Sequence, residues 1–482
     1  MLFNSFDFAI FLPCFFLIYW FVFYKNLKWQ NAFIVISSYL FYGWWDYRFL
    51  SLIAFSTLVD YLVGINLNKS DNKIRRKILL IVSLVVNLGL LGFFKYYNFF
   101  VDSFADTFRV FGREIGTSSL YVILPVGISF YTFQTLSYTI DIYRKKISPT
   151  KDLISFAAFV SFFPQLVAGP IERASNFLPQ FFTKRKFDYN LAVDGLKQML
   201  WGFFKKMVIA DRCAEYANFV FNNSESLSGG TLILGVFFFA FQIYGDFSGY
   251  SDIAIGTAKL FGFNLKQNFA FPYFSRDIAE FWRRWHISLT SWFRDYVYIP
   301  LGGSRKSKIV NIRNVIIVFV LSGFWHGANW TFVIWGLLNA VYFIPLLLLN
   351  KNRKNIDIVA EHKKGISLKE LGMMIFTFLL TLFAWIFFRA ESINHAVQYI
   401  STIFSETVFV YTKIDNPFKV ITTIVLIIIF IYIEWIGRRN KYAIECLSIY
   451  KSRFLKWMVF YLIVIMIFVF GGMQQNFIYF QF

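Results

Sequence analysis

Two of the four histidines in this chain, His286 and His326, fall within one stretch from Phe281 to Asn339. It reads FWRRWHISLTSWFRDYVYIPLGG, then a short basic link, then NVIIVFVLSGFWHGANWTFVIWGLLN. His326 stands between Trp325 and Gly327, where an apolar run meets a turn of small residues. An imidazole flanked by apolar runs is costly unless it faces a polar cavity or a partner, so it reads as a functional site. Its chemistry would be that of a neutral proton acceptor near physiological pH. The other two histidines, His362 and His395, lie in polar links and read as solvated or interfacial.

Around His286 the residues Phe281, Trp285, Leu289, Trp292 and Tyr296 recur at helical spacing, while Glu280, Arg283, Arg284, Ser291, Arg294 and Asp295 occupy much of the other face. The pattern predicts an amphipathic helix over 278–297, too polar to span a bilayer. One reading is a membrane-surface anchor whose Trp and Arg side chains snorkel. The other puts His286 and the arginines on the wall of a cytoplasmic funnel.

Four further stretches carry more polarity than a lipid-facing helix tolerates: PVGISFYTFQTLSYTIDIYR with Gln134 and Asp141, FPQLVAGPIE with Gln165 and Glu172, YGDFSGYSDIAIGTAKLFGFNLKQN with Asp246 and Asp252, and WHGANWTFVIWGLLN with Trp325, His326 and Asn329. Taken singly, each is accounted for by helix–helix packing, which for Asp246 and Asp252 includes pairing with a nearby arginine. Taken together they predict a hydrated interior cavity.

These residues need a scaffold, and composition supplies its type. The 482 residues are 57% hydrophobic and 22% aromatic, with mean hydropathy +0.54. Apolar runs of about 20 residues, long enough to cross a bilayer, recur along nearly the whole chain. The chain is predicted to be an all-α polytopic membrane protein. Candidate segments lie near 7–24, 31–45, 48–66, 78–99, 119–141, 154–171, 192–211, 230–250, 310–325, 330–349, 371–388, 419–436 and 456–472. Several are short or interrupted by Gly, Pro or polar residues, which predicts about 10 to 13 helices at membrane depth, some re-entrant. The opening MLFNSFDFAIFLPCFFLIYWFVF has no basic leader and no small-residue cleavage site, so it reads as a retained span.

The net charge of +20 does not point to nucleic acid. Its basic residues sit in links between apolar runs, at 69–77, 184–186, 305–313 and 351–364, as positive-inside topology requires. That rule puts these links and Lys25 and Lys28 in the cytoplasm, and puts 219–230 and 391–406, poor in Lys and Arg, outside. Basic residues near the active stretch could also meet anionic lipid heads or a phosphorylated cofactor. Cys14, Cys213 and Cys446 show no metal or disulfide spacing and read as packing residues.

The motifs quoted above, in this order and together with the opening MLFNSFDFAIFLP, resemble the membrane-bound O-acyltransferase superfamily, most closely its bacterial alginate O-acetyltransferase-type branch. The likeness covers most of the chain and is strongest from Pro125 to Asn339. It implies a single membrane domain over 1–482, with a catalytic core at 119–349, peripheral helices at 1–118 and 350–482, and a central tunnel. It further implies that His326 is the catalytic histidine and His286 the second characteristic one. The family often carries a histidine after the WG that follows the WHG motif, but here that text is WGLLNA, with Asn339.

The activity implied is transfer of an acetyl group from cytoplasmic acetyl-CoA, with no bound cofactor or metal, towards an exported or cell-surface polysaccharide. The location implied is the inner membrane, surrounded by lipid, with a periplasmic SGNH-type protein completing the transfer. His326 would act as general base or as transient acyl carrier. Arg283, Arg284 and Arg294 would meet the donor's phosphates, and Gln134, Asp246, Asp252, Trp325 and Asn329 would line the substrate path. Two other classes compete: D-alanyl transfer fed by a carrier protein, and a transporter that moves a lipid-linked glycan without using His326. A non-catalytic scaffold would leave both histidines without a purpose.

Overall fold

A computed structural model describes residues 1–113, 120, 122–167, 169–361, 365–412, 416–449 and 452–478. His362 and the side chain of Cys446 lie outside the described residues. Every regular element described is a helix. Among the described residues eight helices are long and apolar enough to cross a membrane. The chain divides into two compact units, residues 1–193 with 257–266, and residues 194–256 with 267–482.

The first unit opens with α1 (Phe6–Leu17), α2 (Leu27–Gly43), α3 (Leu50–Lys69), α4 (Lys73–Leu91) and α5 (Tyr97–Val110). Short polar side chains start several of them. Asn26 accepts from the Lys28 and Trp29 amides at the start of α2, and Asn72 does the same for Ile74 and Arg75 at α4. The segment expected from 119 begins its helix only at Ile128, giving α6 (Ile128–Tyr143). Gly127 precedes it at φ +75°, pressed against the Leu166 carbonyl, a position where a Cβ would be both strained and in collision. The next expected segment breaks as well, into α7 (Leu153–Ser161) and the single turn α8 (Phe163–Leu166), because Pro164 starts a new helix rather than continuing the old one. The short α9 (Ala174–Phe177) follows.

A buried carboxylate sits among these helices. Asp60 of α3 accepts from Ser83 (2.6 Å) and Asn87 (2.8 Å) of α4, and Ser83 Oγ also lies 3.0 Å from Thr139 Oγ1 of α6. The helices are thereby tied by hydrogen bonds, which matter where lipid offers no hydrophobic drive to associate.

In the second unit α10 (Tyr189–Phe203) leads through a wider π turn, Phe204–Ala210, into α11 (Asp211–Asn222). The long α12 (Gly229–Leu260) is buried over most of its length. Then come the short α13 (Ile278–Arg284) and α14 (Ile287–Phe293), the hairpin of α15 (Lys308–His326) and α16 (Trp330–Leu348), α17 (Leu368–Arg389), α18 (Ile393–Ile403), α19 (Pro417–Gly437) and α20 (Arg453–Phe470). After α20 the chain turns back: the Gly472 amide donates to Met207 C=O at 2.9 Å, and Phe477 is fully buried 4.3 Å from the Tyr250 ring.

The amphipathic helix expected over 278–297 is two helices rather than one. His286 breaks it with φ 43° and ψ 54°, a left-handed conformation costly for a non-glycine residue. Nor is the segment a surface anchor. Phe281, Trp282, Trp285, His286 and Trp292 are all buried within the protein.

Candidate active site

His326 is the last residue of α15. Gly327 ends the helix in an extended conformation, and a Cβ there would run into the Phe332 ring. Asn329 then caps α16 by accepting from the Thr331 amide at 3.0 Å. The two helices pack closely because Gly323 faces the Phe332 carbonyl and Gly336 the Phe319 carbonyl, leaving no room for side chains. The hairpin thus carries the imidazole on a tight turn between two packed helices.

Aromatic rings wall the His326 imidazole: Trp325 at 4.9 Å, Trp335 at 5.1 Å and Phe388 at 5.3 Å between centroids. Trp335 stacks on Trp385 at 5.8 Å and meets Trp282 edge-on at 5.6 Å. Asn339, at the position where relatives often have histidine, accepts from Trp282 Nε1 (3.2 Å) and donates to the Trp335 carbonyl (2.8 Å). It therefore holds two tryptophans of this wall. His326 is 3% exposed, and these rings cover most of its surface.

His286 is held differently. Its Nδ1 lies 3.1 Å from Asn268 Oδ1, which also accepts from Ser288 Oγ at 2.9 Å and the Ser288 amide at 3.3 Å. Asn268 Nδ2 donates to Ser251 Oγ at 3.1 Å. A backbone amide can only donate, so it fixes the Asn268 oxygen on this side, and His286 Nδ1 must carry the proton. Nε2 is then a bare lone pair, buried and without a hydrogen-bond partner among the described residues. Burial pushes the His286 pKa down to about 3, so the ring is neutral near pH 7. Between the two histidines stands Trp325, with His286 6.0 Å to one side and His326 4.9 Å to the other.

The remaining expected residues scatter. Arg284 is turned onto Glu280 (2.8 and 3.0 Å), which also binds Arg276. Arg283 donates to the carbonyls of Asn352 and Asn355, and Arg294 pairs with Asp295 at 2.7 Å. Both Arg283 and Arg294 remain exposed. Asp246 pairs with Lys206 at 2.8 Å and accepts the Ile478 amide at 2.7 Å, while Lys206 also binds Asp211 at 2.8 Å and the Gln475 carbonyl. Asp252 pairs with Lys205 and accepts from Gln198 at 2.7 Å. The expected partner of both aspartates was arginine. Lysines answer instead, supplied by the π turn. Gln134 belongs to the first unit, where it donates to the Phe159 carbonyl and exchanges amide bonds with Gln165. Trp325 and Asn329 are thus the expected substrate-path residues that lie beside His326. His395 is half-buried, with Nε2 3.0 Å from Ser224 Oγ. Among the described residues no group of three His, Cys, Asp or Glu side chains is placed to hold a metal ion.

Asn268 and Ser288 went unrecognised in the sequence, although Asn268 lies inside a quoted motif. Asn268 stands in the polar run Lys266–Gln267–Asn268, which gives no local sign that it would hold His286. Lys205 and Lys206 did offer a sign, since two adjacent lysines inside FFKKMVIA must find carboxylates if buried.

Residues 119–388 match the MBOAT, membrane-bound O-acyltransferase family. A probable alginate O-acetylase of Azotobacter vinelandii is 39% identical over 407 residues, covering 84% of this chain and 78% of the relative. A peptidoglycan O-acetyltransferase of Helicobacter pylori is 37% identical over 428 residues, covering 83% and 79%. A teichoic acid D-alanyltransferase of Bacillus subtilis is 27% identical over 282 residues, covering 56% of the chain and 70% of its own length.

Proposed function

The chain belongs to the membrane-bound O-acyltransferase family, and from that premise we propose that it moves an acetyl group from cytoplasmic acetyl-CoA across the inner membrane for O-acetylation of a cell-surface or exported polysaccharide. The observation that carries this reading is the His326 turn, walled by Trp325, Trp335 and Phe388 and one indole away from a second, neutral histidine. His326 takes the proton of the attacking hydroxyl as the oxygen bonds to the acetyl carbon. The carbon–sulfur bond breaks, and the proton passes to the departing thiolate. His286, fixed by Asn268, offers its Nε2 lone pair to a substrate donor and keeps Trp325 in place; its role is supporting.

The basic links at 305–313 and 351–364 flank the start of α15 and the end of α16. Positive-inside topology then puts the His326 turn towards the outer side of the inner membrane. Exposed Arg283 and Arg294 are the better placed of the three arginines to meet donor phosphates, since Arg284 is engaged by Glu280. Asp246 and Asp252 act through their lysines as positioning groups. Transfer to the polymer is completed by a separate SGNH-type protein in the periplasm.

The test is acetyl transfer from labelled acetyl-CoA in membranes, with His326→Ala beside the wild type at equal protein levels. Near-normal transfer in the variant would sink the assignment. Offering a D-alanyl carrier protein in place of acetyl-CoA separates the two donor classes, and the acetyl reading expects label only from the thioester of CoA.

A further inference from the structure

The first unit carries a cleft of about 560 Å³ between the end of α1 and the link that leads into α10. Trp20, Phe21 and Tyr24 line one side, and Phe187 lies opposite. Three of these rings are accessible: Phe21 is 71% exposed, Tyr24 46% and Phe187 49%. Trp20 is anchored by Nε1, which donates to the Leu260 carbonyl at 3.0 Å, and Phe187 meets it edge-on at 5.6 Å.

Charge gives the cleft its class. Lys184, Arg185 and Lys186 line it, and among the described residues no aspartate or glutamate does. Lys184 and Lys186 are exposed, and neither has a hydrogen bond or ion pair among the described residues. Arg185 is buried and set by Gln30 Oε1 at 3.1 Å, Asn31 Oδ1 at 2.6 Å and the Gln180 carbonyl at 3.3 Å. All three partners are neutral, so they orient the guanidinium without cancelling its charge. A buried cation in that state calls for an anion. Asp188, next along the chain, is turned to the Leu191 amide of α10 at 3.1 Å.

Depth in the membrane selects the anion. α1 and the five-residue π turn Ile18–Val22 that continues it form an apolar rod about 26 Å long, close to the ~30 Å of a hydrocarbon core. Lys25 and Lys28 follow it, which puts this end at the cytoplasmic interface. Trp20 and Tyr24 then stand at the level where amphipathic rings meet lipid headgroups. A phosphodiester held here by lysine and arginine has acyl chains beneath it to lay on Phe16 and Phe21, and a soluble phosphate has none. We propose that this cleft binds an anionic phospholipid of the cytoplasmic leaflet, with its phosphate at Lys184, Arg185 and Lys186 and an acyl chain along Phe16 and Phe21. The site stands apart from the acyl-transfer reading and does not need it.

The full chain in detergent is titrated with dioleoyl phosphatidylglycerol and with dioleoyl phosphatidylcholine, and bound lipid is counted by native mass spectrometry. The anionic lipid is expected to bind about tenfold more tightly. Lys184→Gln combined with Lys186→Gln, both at exposed positions, should cut that preference about fivefold with the melting temperature unchanged. Lys73→Gln combined with Lys77→Gln, at the basic start of α4, controls for general attraction to the basic face and should leave the preference as in the wild type. Equal binding of the two lipids by the wild type would overturn the proposal, as would equal losses in the two lysine pairs. Adenosine 3′,5′-bisphosphate is the third probe. Displacement of the lipid by this nucleotide at comparable concentration would make the cleft a nucleotide site and reject the lipid.

Discussion

The two histidines are neighbours of one tryptophan and yet are held by opposite means. His286 is fixed by directed hydrogen bonds, with its proton assigned by Asn268 and its backbone forced into a left-handed turn. His326 is held by position, at the end of a helix and between three aromatic faces. A hydrogen-bonded ring keeps one tautomer and one orientation, which suits a group that orients others. The contrast is between a ring set by directed bonds to Asn268 and a ring walled by aromatic faces.

The strongest way to break this contrast is to remove each ring. His326→Ala should lower acetyl transfer by the ~10²–10⁴-fold typical of a lost general base, with the protein still folded by size-exclusion and thermal melting. His286→Ala should cost less transfer than that, and equal losses in the two variants would erase the distinction. Trp325→Ala touches both rings. Truncating a buried tryptophan costs about 3–5 kcal/mol in stability, so a lower melting temperature and reduced transfer are expected together, with Trp325→Phe restoring most of the former. Asn268→Ala leaves His286 Nδ1 and Ser288 without their acceptor, a loss of about 1–3 kcal/mol. It should shift melting while His326 chemistry survives, measured as transfer well above the His326→Ala level.

A further test sharpens the contrast through pH. His286 titrates at about 3 when folded against 6.5 unfolded. The unfolded chain therefore binds a proton that the folded one refuses, and this contribution to stability is present above 6.5 and lost as pH falls towards 3. Melting of wild type in detergent should fall more steeply across that window than melting of His286→Gln. Parallel curves would remove the neutral-ring assignment.

Much of this was legible beforehand. The long apolar runs gave the spanning helices, and the WHG and WRRWH motifs pointed to both histidines. What stayed hidden has a common physical cause. The break at His286 carries no Gly or Pro, and the aromatic spacing from Phe281 to Tyr296 continues across it, so only the tertiary bond to Asn268 shows why the helix stops. The partners of Asp246 and Asp252 come from a π turn some forty residues away, which no local periodicity reveals. Asn339 looked like a missing histidine, whereas packing makes it the brace of Trp282 and Trp335.

The returning segment after α20 has a consequence for biogenesis. Lys206 and Asp246 lie in helices made early, yet two of their partners are the Gln475 carbonyl and the Ile478 amide. During synthesis these charges enter the membrane hundreds of residues before those partners leave the ribosome. The same segment brings Phe477 against Phe247, whose ring touches His286. A nascent chain stalled short of residue 475 would therefore hold an unfinished ionic core, a state that membrane quality control can recognise.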